Sequence, residues 1–167
     1  MAMNLWDYFQ VNCSMLLTME REVWLMHHVM MREVRHNKLK QTFEQYNDPI
    51  RHQISNLEQI VDRLGGIVGP EESAVAQGMM LAHQQFHNLN PSPELIDLHN
   101  AMEGDKAVHT LMSAHTSLIA VASQLGAGDM VEMLEENLHS EQALCTDLEG
   151  LYPELLARID LGMQKAA

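Results

Sequence analysis

Four polar residues interrupt the apolar stripes of the predicted helices: two glutamates, a histidine and a glutamine. Side chains of these types can bind a metal ion or form a buried hydrogen-bond network. Glu20, Gln53, His115 and Glu141 stand where steps of three and four residues otherwise place apolar side chains. A buried carboxylate without a partner is costly, so the two glutamates must bind a metal ion, find a hydrogen-bond donor or cation, or stay protonated. Each outcome predicts a polar patch inside the protein.

The residue types leave two interpretations of this patch open. In a metal centre, carboxylates and histidines from several helices converge, as in di-metal bundles that use Glu-x-x-His pairs. Glu136 and His139 have that spacing, and Asp48 and His52 are four residues apart, but both histidines lie off their stripes. The other interpretation is a neutral hydrogen-bond network of Glu, Gln, His and Tyr46 that fills the core.

Three further features could bind or shape a site. The run Met26–Met31 (MHHVMM) concentrates thioether and imidazole groups that suit copper(I), although methionine at helical spacing usually packs in a core. His83 and His87, four residues apart, could hold a metal, but we expect them on the surface. Pro49 removes a backbone donor and predicts a kink or break in the second helix, which could open a cavity beside Gln53.

The acidic composition of the chain argues against two classes of binding partner. There are 23 acidic and 10 basic side chains, a formal net charge of −13 with neutral histidine. Nucleic acid and anionic membranes require clustered Lys and Arg, so neither is expected as a partner. No apolar run approaches the ~18 residues of a membrane span and no signal-peptide pattern is present. We therefore expect a cytoplasmic protein in which Cys13 and Cys145 are reduced thiols.

The apolar periodicity predicts an all-α fold with four long helices. The first stripe runs from Phe9 to Val34, and the second from Phe43 to Leu64, where Gly65-Gly66 ends it. A connection of about residues 65–92 follows and contains a short helix from Glu71 to about His87. The chain of 167 residues is long enough for one core, so we expect a single domain over residues 1–167.

The second half repeats the hairpin pattern. Ser92 as N-cap and Pro93 at the first helical position start the third long helix, which ends at Gly126. Asp129 with Glu132 resembles a capping box that starts the fourth, Gly150 ends it, and Pro153 begins a short C-terminal helix. Two helical hairpins joined by one long crossover form a ferritin-like four-helix bundle. Measured from the two turns, Glu20 should face Gln53, and His115 should lie near Glu141.

Four segments of the chain resemble the YciE/YciF-type ferritin-like family of bacterial stress proteins, over roughly residues 4 to 150. They are LLTMEREV, QISNLEQIVDRLGG, TSLIAVASQLG and LEENLHSEQAL. The resemblance implies a dimeric ferritin-like bundle associated with stress and a di-iron or ferroxidase centre. It places the family's first-helix glutamate at Glu20 and its second-helix His-or-Gln position at Gln53.

The resemblance also implies that this centre is degenerate. Pro49 and Leu111 stand where relatives tend to carry glutamates, and Ser140 replaces an acidic residue, whereas Glu136 and Glu141 match acidic positions. Tyr46 stands where His is frequent, and His115 where Tyr is frequent.

We therefore expect a homodimeric, stress-associated bundle with a binding or structural role and a polar former di-metal centre. The alternative is a ferroxidase or peroxide-handling enzyme that uses iron or another divalent metal. Its ligands would be Glu20, Glu136, Glu141 and His115, with Gln53 and Tyr46 beside them.

Overall fold

The computed structural model describes residues 2–159, which form five α-helices and, within that range, no β-strand. The helices are α1 (Leu5–Glu33), α2 (Asn37–Arg63), α3 (Ala74–His87), α4 (Pro93–Gln124) and α5 (Gly128–Ala157). Helices α1 and α2 form one hairpin and α4 and α5 the other, with α3 in the long connection between them. The predicted all-α, ferritin-like bundle is confirmed.

Local capping explains where the first hairpin begins and turns. Asn4 and Asp7 form a reciprocal capping box at the start of α1. At the turn, the His36 side chain accepts a hydrogen bond from the Leu39 backbone N–H, which starts α2. The backbone N–H of His36 donates to Asp97 of α4, so the turn is tied to the second hairpin.

A kink or a break was predicted at Pro49, and α2 is one continuous helix through this residue, which excludes the break. Tyr46, Ile50 and Gln53 surround this proline at helical spacing and are all buried. Their packing offsets the backbone hydrogen bond that a proline cannot donate, since tertiary contacts supply most of a helix's stability. The helix ends as predicted before Gly65, which adopts a φ of +102°.

In the second hairpin, one of the two predicted helix N-caps is wrong. Ser92 and Pro93 start α4 as expected, but α5 starts at Gly128 after Ala127, without a side-chain cap. Gly126 has a φ of +72°, which lets the chain reverse so tightly that the new helix begins before the expected cap at Asp129. Asp129 instead forms an ion pair with Arg63 of α2.

The predicted end of the fourth long helix, α5, is also wrong. The helix continues through Gly150 and Pro153 to Ala157, so within the described residues the expected short C-terminal helix is the last part of α5. Leu155 is buried there, and Glu154 binds His36 across the bundle. These contacts hold the last turns of the helix in place despite the glycine and the proline.

The four long helices enclose one core. Helix α1 packs on α2 and α4, α5 packs on the same two helices, and α3 lies against α1 and α4. Among the core side chains that are fully buried are Phe9, Phe43, Leu57, Leu111 and Leu134. No helix among residues 2–159 is both long enough and apolar enough to cross a bilayer.

Candidate functional site

Glu20 lies at the centre of the bundle on the inner face of α1 and has no exposed surface. Neither of its carboxylate oxygens has a hydrogen-bond partner among the described residues. The nearest basic group is His115 of α4, whose Nε2 lies 3.8 Å from Glu20 Oε1, beyond hydrogen-bond distance. Burial raises the pKa of Glu20 from 4.5 to about 8 because water no longer solvates the charged form.

His115 is fully buried and held in one orientation by its own helix. Its Nδ1 donates to the Leu111 backbone carbonyl at 3.0 Å, which leaves Nε2 as the unprotonated nitrogen of a neutral ring. Nε2 in turn accepts a hydrogen bond from Asn137 at 3.3 Å. Burial lowers the pKa of His115 to about 4, against the effect of the Leu111 hydrogen bond. The ring is therefore neutral near pH 7.

Asn137 of α5 connects the polar groups, and the sequence analysis did not identify it. Its Nδ2 donates to the Gln53 backbone carbonyl at 3.1 Å, and its Oδ1 accepts from Asn56 at 2.9 Å. Gln53 Nε2 donates back to the Asn137 carbonyl at 3.4 Å. The signal was spacing: Asn137 lies four residues before Glu141, the interval that places two side chains on the same face of a helix.

Glu141 brings a second carboxylate into this centre. It is 1% exposed, and its Oε2 has no hydrogen-bond partner in residues 2–159. Burial and the nearby charge of Glu20 raise the pKa of Glu141 well above its usual value. Two carboxylates that oppose each other's ionisation in a dry site are neutral, share a proton or hold a cation.

A cavity of about 20 Å³ borders both carboxylates. Its other walls are largely apolar and include Val23, Met26, Phe43, Ile50 and Leu111. This volume accommodates one water-sized species.

Two of the predicted site residues lie away from this centre. Glu136 is largely exposed on α5 and accepts hydrogen bonds from His52 at 3.1 Å and Asn56 at 3.1 Å. Tyr46 is buried, but its hydroxyl donates to Asp147 at 2.8 Å. The structure therefore brings together Glu20, Glu141 and His115, with Gln53 joined to them through Asn137.

The methionine and histidine run divides between core and surface. Met26, His27 and Met30 are buried and border the same cavity, whereas His28 and Met31 are partly exposed. His27 Nε2 donates to the Phe43 backbone carbonyl at 2.7 Å, which occupies that nitrogen. The copper(I) hypothesis remains a prediction.

His83 is not a surface residue, contrary to the sequence-based expectation. It is 2% exposed, and its Nε2 lies 2.9 Å from Oε2 of Glu33, which is also 3.2 Å from His87 Nε2. The burial comes from α1 and α4, against which α3 packs, so periodicity within α3 could not reveal it.

Close groups of possible metal ligands occur at two places other than the centre. Among residues 2–159, sets of three or more His, Cys, Asp or Glu with ligand atoms all within 4.8 Å of one another are Glu33–His83–His87 and Asp105–His109–Cys145–Glu149. The second set could not be predicted from the sequence, because its members lie on two helices and about forty positions apart. Glu20, His115 and Glu141 do not meet this closely.

A protein-family model matches most of the chain. Residues 5–159 match the family described as a domain of unknown function, DUF892. The chain belongs to this family. The match confirms the resemblance to YciE/YciF-type proteins, and no curated protein matches the chain.

Solved structures show the same fold. The E. coli stress protein YciF is 19% identical with a TM-score of 0.85, covering 95% of this chain and 100% of that chain. YcfI from Rhodopseudomonas palustris, for which a structural role has been suggested, is 20% identical with a TM-score of 0.81, covering 87% and 93%. A protein from Xanthomonas campestris pv. campestris is 14% identical with a TM-score of 0.74, covering 92% and 93%.

The residues of this DUF892 member do not fit a di-metal centre. Two metal ions require several anionic oxygens, but the centre offers two carboxylates and one imidazole. Leu111 and Pro49 stand where the resemblance implies further glutamates, and neither side chain binds a cation. The cavity has room for one small species, and Asn137 already donates to the nitrogen of His115 that would bind a metal.

Proposed function

We propose that this protein has a structural or binding role in the stress response, and that its central carboxylates are kept neutral by protonation and not by iron. The unpartnered, fully buried carboxylate of Glu20 beside Glu141 carries this proposal. A carboxylate that holds a structural ion pair has a lowered pKa, whereas burial raises the pKa of both groups here. The stress context comes from YciF, which is described as a stress protein.

The hydrogen-bond network supports a fixed core without turnover. Asn137 links α5 to Gln53 and Asn56 of α2 and to His115 of α4, so its side-chain amide joins three helices and has partners on both its N–H₂ group and its oxygen. Buried hydrogen bonds of this kind favour one packing arrangement of the helices. The described residues around the cavity are mostly apolar, and the cavity is small. These properties are typical of a stable core and not of a substrate pocket.

A metal-dependent oxidoreductase is the second candidate, and one observation favours it. Glu20 Oε1, one of three unpartnered carboxylate oxygens in the centre, lies 3.8 Å from Nε2 of His115. The Nδ1 of this histidine is bound to a backbone carbonyl, which is the usual arrangement for a metal-ligating imidazole. Glu20, Glu141 and His115 would hold a single divalent ion that supplies ferroxidase or peroxide chemistry. The protein chain's own contribution would be to orient His115 and exclude water.

One experiment separates the two candidates. Protein purified from its native source is analysed for metals, then titrated with ferrous iron while oxygen consumption is recorded, with a ferritin as positive control. The structural proposal predicts well below one iron per chain and no oxygen consumption above the buffer rate. Stoichiometric iron with turnover that Glu20→Gln abolishes would establish the enzyme and end the structural proposal.

The cytoplasmic homodimer is a further part of the proposal. The resemblance to YciE/YciF-type proteins implies the dimer, and large apolar side chains such as Trp6, Leu25 and Leu81 are about half exposed. Light scattering at micromolar concentration should give twice the mass of the chain, and cell fractionation should recover the protein with cytoplasmic markers. A monomer, or a protein found in another compartment, would contradict the respective statement.

A further inference from the structure

Four possible metal ligands meet where α4 contacts α5, one helical turn along α5 from the central carboxylate of Glu141. Asp105 and His109 are four residues apart on α4, and Cys145 and Glu149 are four residues apart on α5. Residues at this spacing project from the same face of a helix. Each helix therefore presents two ligands to the other, and all four ligand atoms lie within 4.8 Å of one another.

Four of the six distances among these ligand atoms are those of a tetrahedron around one ion, and the other two are no longer than 4.8 Å. Cys145 Sγ lies 3.4 Å from Asp105 Oδ1 and 3.4 Å from His109 Nε2. His109 Nε2 lies 3.5 Å from Asp105 Oδ1 and 3.6 Å from Glu149 Oε1. Zinc bonds of ~2.0–2.1 Å to nitrogen and oxygen and ~2.3 Å to sulfur, at tetrahedral angles, give ligand separations of roughly 3.3–3.6 Å. We propose that Asp105, His109, Cys145 and Glu149 form a zinc site that clamps α4 to α5.

The charges around the group favour a divalent cation. Asp105 and Glu149 form no ion pair with Lys or Arg among the described residues, and His109 is the basic side chain within reach of both. Burial and these two carboxylates raise the pKa of the Cys145 thiol to about 12. Zinc replaces the thiol proton: the S–H bond breaks, the proton leaves to solvent, and the sulfur lone pair forms the Zn–S bond without any change in oxidation state.

A neighbouring hydroxyl orients one of the ligands. Tyr152 donates to Asp105 Oδ2 at 2.8 Å, which leaves Oδ1 directed at Cys145 and His109. Such outer hydrogen bonds are typical of metal-ligating carboxylates. The side chains of His109 and Glu149 are 52% and 53% exposed, so an ion can enter from solvent. Four protein ligands complete the tetrahedron, which is typical of a structural and not a catalytic zinc site.

Cobalt(II) tests the site because a thiolate ligand gives it a distinctive spectrum. Chelator-treated full-length protein is titrated with Co²⁺, and then with Zn²⁺, in three forms: wild type, Cys145→Ala and Cys13→Ala. Cys13 is the matched control, because it is also a buried free cysteine but lies on α1, outside the group. Wild type and Cys13→Ala should show the thiolate-to-cobalt charge-transfer band and tetrahedral visible bands, which one equivalent of zinc abolishes. Cys145→Ala should show neither.

A second variant keeps the test decisive if Cys145→Ala folds poorly. His109 is half exposed, so His109→Gln leaves packing intact and should weaken zinc binding about tenfold or more. The absence of a charge-transfer band in wild type, or its persistence in folded Cys145→Ala, would overturn the proposal. Zinc affinity unchanged in His109→Gln would overturn it as well. Binding at Glu33–His83–His87 is distinguishable, since that group has no thiol.

Discussion

Replacing Glu20 by glutamine tests whether the central carboxylate is neutral in the folded protein. Folding raises the pKa of Glu20 from 4.5 to about 8, so the unfolded chain releases this proton at lower pH than the folded one. Its contribution to stability is therefore fully present below pH 4.5 and is lost as the pH rises through about 8. Glu20→Gln carries no ionisable group at this position and escapes that loss.

The expected change in unfolding free energy with pH follows from the two pKa values of Glu20. Each pH unit between the two values is worth about 1.4 kcal/mol in unfolding free energy, so the wild type should lose about 2–3 kcal/mol relative to Glu20→Gln between pH 5.5 and 7.5. The substitution also buries an amide N–H₂ group beside a largely apolar cavity, which costs about 1–3 kcal/mol at every pH. The test therefore uses the way in which the difference in unfolding free energy between wild type and Glu20→Gln changes with pH. The absolute value of that difference at one pH is not decisive.

The assay is urea unfolding followed by circular dichroism at pH 5.5, 6.5 and 7.5 in the presence of a chelator. Glu135→Gln is the matched control, because Glu135 is exposed on α5 and forms no ion pair or side-chain hydrogen bond within residues 2–159. That variant should differ from wild type by the same amount at all three pH values. A pH-independent difference for Glu20→Gln as well would refute the reasoning, since it would mean that folded Glu20 is ionised throughout this range.

Three further predictions follow from the polar groups. Asn137→Leu should lower the unfolding free energy by about 2–4 kcal/mol in urea titrations, because it leaves His115 Nε2 without a hydrogen-bond donor and removes one hydrogen bond each from Asn56 and the Gln53 carbonyl. A loss under about 1 kcal/mol would be too small for a central network. Asp97→Asn should cost about 1–2 kcal/mol by the same assay, since Asp97 accepts from the turn after α1 and from Arg158; unchanged stability would contradict this. The lowered pKa of His115 predicts that stability falls from pH 6.5 towards 4, and that His115→Gln loses less than wild type; equal acid sensitivity would argue against a buried neutral ring.

Most of the fold could be predicted because its signals are local. Ser92 and Pro93 mark the start of α4 through their own side chains, and Gly65 marks the end of the first hairpin through its backbone freedom. The start of α5 could not be located in this way, since a tight turn at Gly126 overrides the cap signal of Asp129. Pro153 likewise stays helical because contacts from other helices hold the end of α5.

The site was predictable only in part. Glu20, His115 and Glu141 were recognisable because each interrupts an apolar stripe, and all three are buried. Glu136 was predicted from the family resemblance and lies on the surface, whereas the adjacent Asn137 faces inward and was not predicted. The cluster around Cys145 depends on the register of α4 against α5, which is a tertiary property.

The ionisation of Glu20 and Glu141 is the claim on which the proposed function depends. Carboxyl carbon NMR of ¹³C-glutamate-labelled, chelator-treated protein measures it directly, with Glu20→Gln used to assign the resonance. The account predicts that the Glu20 carboxyl titrates near pH 8 and that Glu141 remains protonated above its usual range. Two carboxyls that titrate near pH 4.5 in the folded protein, or resonances that move only when a metal ion is added stoichiometrically, would contradict it.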